Sequence, residues 1–240
     1  MAEIYINYGN NLAEMTVQLM ERANIANQLD HHAKVCIKPN LVVSRPAEGG
    51  ATTHSAIVEG IILYLREHGI RSITIAEGSW VGDSTQRAFA LCGYTDLSER
   101  YDVALIDTKQ DSSTTLRVDG QEFQICNSIL EADYLINVPV LKGHCQTGMT
   151  CCLKNMKGCI PDSEKRRFHT IGLHNSIAFL NKLLRPQLHI VDNICGDLDF
   201  EEGGTPVPTG RIMLGFDPVL LDSYGASLIG FTPQDIDHLV

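Results

Sequence analysis

Along the chain, short apolar or alternating runs take turns with stretches whose apolar residues recur every three or four positions. The runs at Glu3–Asn7, Lys34–Lys38, Arg71–Ala76, Val103–Asp107, Asp133–Pro139 and Gln187–Asp192 read as β-strands, and Pro39 stops the second of them. Helical periodicity marks about Asn11–Asn27, Ser55–His68, Ser84–Leu91, Ile171–Leu184 and Pro218–Leu228, with Gly69 just past the second and Asp217 placed to cap the last. Between Thr115 and Ile125 two alternating runs flank Asp119-Gly120, a dipeptide suited to a tight turn, so a β-hairpin is expected there. Residues 140–170 keep no sustained period, and Arg211–Gly215 reads as an edge strand. This alternation predicts an α/β fold with a mostly parallel, doubly wound sheet and a small β-hairpin insertion at about residues 115–125.

The 240 residues suffice for a single α/β domain with a substantial core. Thr232–Val240 has the pattern of a capped helix that has only begun, so the natural chain is expected to run past Val240 into a further module. Nineteen Lys and Arg against 29 Asp and Glu give a net charge of −10, which argues against a general nucleic-acid or anionic-membrane binder. The amino-terminal residues lack a basic segment followed by an apolar one, and the apolar stretch around residues 56–65 is interrupted by Glu59. A cytoplasmic location is therefore expected, and with it eight cysteines in the thiol form.

Polar residues gather where strands end. Lys38 and Asn40 follow the second strand, Glu77 the third, Lys142 and His144 the strand at 133–139, and Asp192 the strand at 187–192. In open α/β sheets the crevice beyond the carboxyl ends of the strands takes ligands, so these groups are expected to share one concave site. The long connection from Asn40 to His54 leads into a helix with Thr53 at its start, where free N–H groups suit an anion; it matches no dinucleotide or Walker pattern. From Lys142 to Arg167 there are six basic and two acidic residues, a cationic island in an acidic chain. Lys165, Arg166 and Arg167 read as a solvated helix face, whereas Lys142 and Lys154, set among Gly, Thr and Asn, read as functional. Cys145, Cys151, Cys152 and Cys159 fall within the same segment, but the spacing Cys-x5-Cys-Cys-x6-Cys fits no standard zinc or iron–sulfur run. No metal site is assigned, and these thiols, like Cys36 and Cys195, read as small buried apolar groups.

Six segments carry a family resemblance: Ile37–Val42, Thr52–His54, Glu131–His144, Met149–Pro161, Leu188–Ile194 and Gly215–Asp222. With the Lys142/His144 pair and the Thr-x-x-x-Lys-Asn of Thr150–Asn155, the chain resembles domain-of-unknown-function family 362 along most of its length. That resemblance implies a redox setting, since members often carry a ferredoxin-like module with four-iron clusters behind this domain. Such a module would lie beyond Val240, so an iron–sulfur cluster is implied only through a partner or a further module. A more distant analogy is to the nickel-cofactor lactate racemases, which also place Lys and His at strand ends.

Two functions follow as expectations. In the first, a small anionic substrate or cofactor is held by Lys142, Lys154 and Lys157 with Thr53, within a crevice to which Lys38, Asn40, His54, Thr150 and Asn155 also contribute. His144 or His169 transfers a proton, and Glu77 and Asp192 orient the cations or a metal-bound water. In the second, the domain is a non-catalytic electron-transfer or scaffold module that works with a ferredoxin-like partner. The sequence does not decide whether the protein is an enzyme, and it names no cofactor.

Overall fold

The computed structural model describes residues 3–240. The elements in chain order are β1 (Ile4–Tyr8), α1 (Leu12–Arg22), β2 (Val35–Pro39), α2 (Ser55–Glu67), β3 (Ile73–Glu77), α3 (Thr85–Leu91), α4 (Tyr94–Tyr101), β4 (Ala104–Asp107), β5 (Ser113–Val118), β6 (Gln121–Cys126) and α5 (Asn127–Leu130). They continue with β7 (Tyr134–Val138), β8 (Lys142–His144), β9 (Gly148–Thr150), α6 (Cys152–Asn155), α7 (Asp162–Ile171), α8 (Leu173–Leu183), β10 (Leu188–Asp197), β11 (Pro206–Gly215) and α9 (Pro218–Leu228). A seven-stranded sheet has the order β1-β11-β10-β7-β2-β3-β4, and only β11 runs against the others. Helices cover both faces, as the alternation in sequence requires.

Strand periodicity sorts the side chains between the two faces. Val35 and Ile37 of β2 pack with Leu19, Ile61 and Tyr94 from α1, α2 and α4, whereas Cys36 packs with Phe123, Phe168 and Leu180 from β6, α7 and α8. Val191 and Met213 complete the second face against Leu221 and Ala226 of α9. Asp217 caps α9 by accepting from the N–H groups of Val219 and Leu220, as its position in the sequence suggests. The β5–β6 hairpin turns at Asp119-Gly120, both with positive φ.

The chain order creates a switch point. From β2 the sheet grows through β3 to β4; the chain then returns, by way of the hairpin, to place β7 on the other side of β2. The crossovers diverge there and leave a crevice at the carboxyl ends of β2 and β7.

Several boundaries differ from the sequence pattern. The first helix stops at Arg22 because Asn24 adopts a left-handed backbone (φ 53°). The expected helix at 171–184 is α8, which starts at Leu173 because Gly172 (φ 105°) parts it from α7, a helix over 162–171 that the sequence pattern did not mark. Arg211–Gly215 is not an edge strand: β11 is ten residues long and lies between β1 and β10, so β1 and β4 form the edges. Pro206, Pro208 and Gly210 hide its first half from any strand pattern. Among the described residues no helix is long and apolar enough to cross a membrane.

Candidate functional site

Three neighbouring core strands each place a polar side chain on the same face of the sheet, and register sets the three side by side. Lys38 of β2 pairs with Asn137 of β7, which pairs with His189 of β10. All three are fully buried. Asn155, at the end of α6, rests on this row. Its Oδ1 accepts from Lys38 Nζ at 3.3 Å and Asn40 Nδ2 at 2.7 Å, and its Nδ2 donates to Asn137 Oδ1 at 2.7 Å. Asn137 in turn donates to the Cys152 carbonyl at 2.9 Å, so the row also fixes the start of α6.

Lys38 is fully engaged. Its ammonium lies 2.5 Å from Glu77 Oε2 and 2.8 Å from the Pro39 carbonyl, while the other Glu77 oxygen accepts the Gly78 N–H at 2.7 Å. A buried pair of this kind needs such extra hydrogen bonds to offset the loss of hydration. Gly158 closes over it: a β-carbon there would collide with both the Glu77 carboxylate and the Lys38 ammonium. Lys165 is likewise occupied, donating to the carbonyls of Gly78 (2.9 Å) and Ser79 (3.0 Å) and to Asp162 Oδ1 (3.3 Å).

Above this floor lies a cleft of about 290 Å³. Lys154 and Lys157, three residues apart on α6 and the turn after it, line it together with Lys165, Arg166 and His169 of α7. Val42, Trp80 and Val81 supply an apolar stretch of the lining, with Trp80 52% exposed. His144, Cys145, Gln146, Glu201 and Glu202 contribute from β8 and the loop that follows β10. Gly143 lets that loop cross directly over β8, because a β-carbon there would strike the Leu198 carbonyl.

Lys154 and Lys157 differ from the floor lysines. Lys154 Nζ reaches only the Thr150 hydroxyl, at 3.4 Å, and Lys157 Nζ only the His169 ring, at 3.5 Å. Neither has a carboxylate within 4 Å among the described residues. Burial, and then the like charges of Lys157 and Lys142, push Lys154 well below the usual lysine range; burial and then Lys165 bring Lys157 down to about 8. The His169 ring is also lowered, by burial and then by these two lysines.

His144 is fixed in one tautomer. Its Nδ1 accepts the backbone N–H groups of Gln146 (3.0 Å) and Thr147 (3.3 Å), so in the neutral ring the proton sits on Nε2, 3.6 Å from Glu201 Oε1. Burial and then Lys154 lower this histidine to about 3, which keeps the ring neutral and makes Nε2–H a hydrogen-bond donor. His144, Cys145 and Glu201 hold ligand atoms within 4.8 Å of one another. An ion on Nε2 would drive the ring proton onto Nδ1, against two backbone donors, so these residues do not fit a histidine-held metal.

The structure divides the sequence-derived set. Asn40, Glu77, His144, Thr150, Lys154, Asn155, Lys157 and His169 line the cleft, and Lys38 lies directly beneath it. Lys142 does not reach it. Only 1% exposed, its ammonium joins the carbonyls of Ala51 and Glu201, and burial brings it down to about 7. Thr53 pins β2 to β7, accepting the Asn40 N–H and donating to the Val138 carbonyl, both at 2.8 Å. Asp192 and His54 bond to each other at 2.8 Å on the other face, and His54 lines a separate cavity. Alternation along β10 explains it: Ile190 faces the α2 layer and Asp192 follows two residues on. The four clustered thiols do not converge either. Cys145 is exposed, Cys151 and Cys152 pack beside Asp222, and Cys159 packs with Cys36 and Phe168. Asn137 and His189 were missed; Asn137 is the one amide in an otherwise apolar run and could have been singled out, whereas His189 shares its strand with Asp192 and Asn193 and had no such mark. Glu201 and Trp80 sit on loops with no pattern to mark them.

A family model described as a domain of unknown function (DUF362) matches residues 35–227. A thylakoid-associated protein of Synechocystis is 24% identical over 242 residues, covering 95% of this chain and 73% of that protein. Among solved structures, the lactate racemase apoprotein from Thermoanaerobacterium thermosaccharolyticum aligns over 90% of this chain with a TM-score of 0.53 and 13% identity. This chain spans 55% of the racemase chain, and at such identity the likeness is one of fold. The family match runs from the first core strand of the site into α9 and takes in Lys38, His144, Lys154 and Lys157: the chain belongs to the DUF362 family.

Proposed function

We propose that the cleft binds a small anionic ligand and does acid–base work on it. One observation carries this reading: Lys154 and Lys157 are partly buried, near each other in sequence and, among the described residues, without a carboxylate within 4 Å, whereas the lysines beneath and beside them are fully engaged. Two lysines held together in a half-dry cleft resist being charged at once, and a bound anion removes that resistance, so that Lys154 takes up its proton as the anion enters. The fixed Nε2–H of His144 then donates to a ligand oxygen, and Lys157, beside His169, holds its charge. Burial shifts Lys154 toward its free amine, the form that accepts a proton. Trp80, Val42 and Val81 offer a surface for the apolar part of the ligand.

The fold neighbour acts on lactate, a small hydroxycarboxylate, which makes lactate and inorganic phosphate the first two probes. Isothermal titration of each against the wild type and Lys154→Met tests the reading. Saturable binding that weakens about 10–100-fold in the variant supports it, as expected for a charged hydrogen bond of about 1.5–3 kcal/mol. Binding of either probe that is unchanged in Lys154→Met, in a protein of unchanged stability, refutes the role of this lysine.

A further inference from the structure

On the α2 side of the sheet, three residues that play no part in the lysine cleft stand in line. His54 Nδ1 lies 2.8 Å from Asp192 Oδ2, and its Nε2 lies 3.8 Å from Cys195 Sγ. Asp192 is anchored as an acceptor. The same oxygen takes the His54 backbone N–H at 2.8 Å, and the other takes the N–H of Ile194 at 3.1 Å. With Nδ1 donating to the carboxylate, Nε2 is the ring nitrogen that faces the thiol.

A local irregularity of the strand makes this alignment. Asp192 and Cys195 are three residues apart on β10, and in an unbroken strand such residues point to opposite faces. The register of β10 against β11 shifts between Asn193 and Cys195. The shift turns Cys195 to the Asp192 side, as bulges do when they re-aim a side chain. Burial opposes the charged form of His54, but hydrogen bonds to Asp192 and Cys195, and their charges, outweigh it and lift the ring to about 10. An imidazolium aimed at sulfur is a general device for making a thiol nucleophilic.

There is room for a substrate beside it. His54 forms part of the wall of a cavity of about 550 Å³. Cys195, 9% exposed, is not itself part of the lining but touches it: its thiol donates to the carbonyl of Ala47, a wall residue, at 3.5 Å. The charged side chains of the lining besides His54 are Glu48 and Glu59, which disfavour an anion.

We propose that Cys195, His54 and Asp192 form a second site, at which Cys195 is the nucleophile toward an uncharged or cationic acyl ester or thioester. Sγ bonds to the acyl carbon while the thiol proton is held on His54 Nε2. The acyl C–O or C–S bond breaks, and the departing oxygen or sulfur takes that proton. Water then attacks the acyl-cysteine: its hydroxyl leaves with the acyl group as a carboxylic acid, and its proton returns through His54 to Sγ. Asp192 is a positioning residue that holds the ring.

The test uses the whole chain carrying Cys145→Ser, which removes the exposed thiol. The protein is treated with p-nitrophenyl acetate and, separately, iodoacetamide, and the modified cysteines are mapped by mass spectrometry. Cys92 is the internal control, since it lines the cavity that His54 lines, at 7% exposure, and its sulfur bonds the Arg45 carbonyl and the Thr52 hydroxyl, not a ring. Cys195 is expected to be acetylated and alkylated at least about tenfold faster than Cys92, and His54→Gln to remove that advantage. Equal rates at Cys195 and Cys92 would overturn the proposal, and so would a folded His54→Gln in which Cys195 reacts as fast as before. If His54→Gln does not fold, the comparison of the two cysteines in the parent protein still decides.

Discussion

Two pairs of lysines meet at one cleft and do opposite things. Lys38 and Lys165 end in full shells of acceptors: a carboxylate and a carbonyl for the first, two carbonyls and Asp162 for the second. Lys154 and Lys157 line the cleft above them, yet end against a hydroxyl and a ring nitrogen. Lys38 and Lys165 are buried and Lys154 and Lys157 partly so, but all four are long cationic side chains withdrawn from water, and the sharper difference lies in their partners. The separating quantity is whether the counter-charge belongs to the protein. Where it does, the charge holds the floor together; where it does not, the site has a place for an anion.

The largest expected effect lies on the structural side. Lys38→Met strands the Glu77 carboxylate beneath the cleft and should lower stability by about 3–5 kcal/mol in urea unfolding. Lys154→Met should leave the unfolding midpoint nearly in place. Equal destabilisation by the two substitutions would erase the distinction.

On the functional side, Lys154→Met should weaken binding of an anionic probe about 10–100-fold, read by titration calorimetry. Lys38→Met, where it folds, should act on binding only through the position of Glu77 and Asn155. A smaller effect comes from Gly158→Ala, whose added methyl group intrudes on the Lys38–Glu77 pair and should cost about 1–3 kcal/mol by overpacking.

The smallest expected effect is in pH. Lys157 is held down to about 8, below the ordinary lysine value, so its charge is complete well below pH 8 and is lost as pH rises through it. Anion affinity should therefore fall between pH 7 and 9, by less than about tenfold for the loss of one charge. An affinity that stays flat over that range would mean that Lys157 contributes nothing to the ligand.

How far the sequence alone reaches follows from the same physics. Strand–helix alternation was enough to read the doubly wound sheet, and the strand ends pointed to Lys38, Asn40, Glu77 and His144. What the pattern could not supply was the face on which each side chain emerges. Lys38 and Asp192 both belong to core strands next to the switch point, yet alternation turns one beneath the cleft and the other toward α2. Lys142, which looked like a ligand-binding group, is drawn inward because two loops far apart in sequence present it with the carbonyls of Ala51 and Glu201. Lys165 read as a solvated helix residue, but α7 packs its side chain over Gly78 and Ser79. Long-range partners decide these cases, and one sequence carries no record of them. The Cys195 alignment was hidden for the same reason, since it depends on a strand irregularity that has no marker in the residues themselves.

That Lys154 and Lys157 have no ion-pair partner among the described residues is checked by following the lysine side-chain ¹³Cε signals by NMR from pH 6 to 11, assigned with Lys154→Met and Lys157→Met. The account predicts a Lys157 midpoint near 8 and a Lys154 midpoint well below the ordinary lysine value, with both moving upward when a bound anion is added. Midpoints for both at the ordinary value of about 10.4 would contradict it.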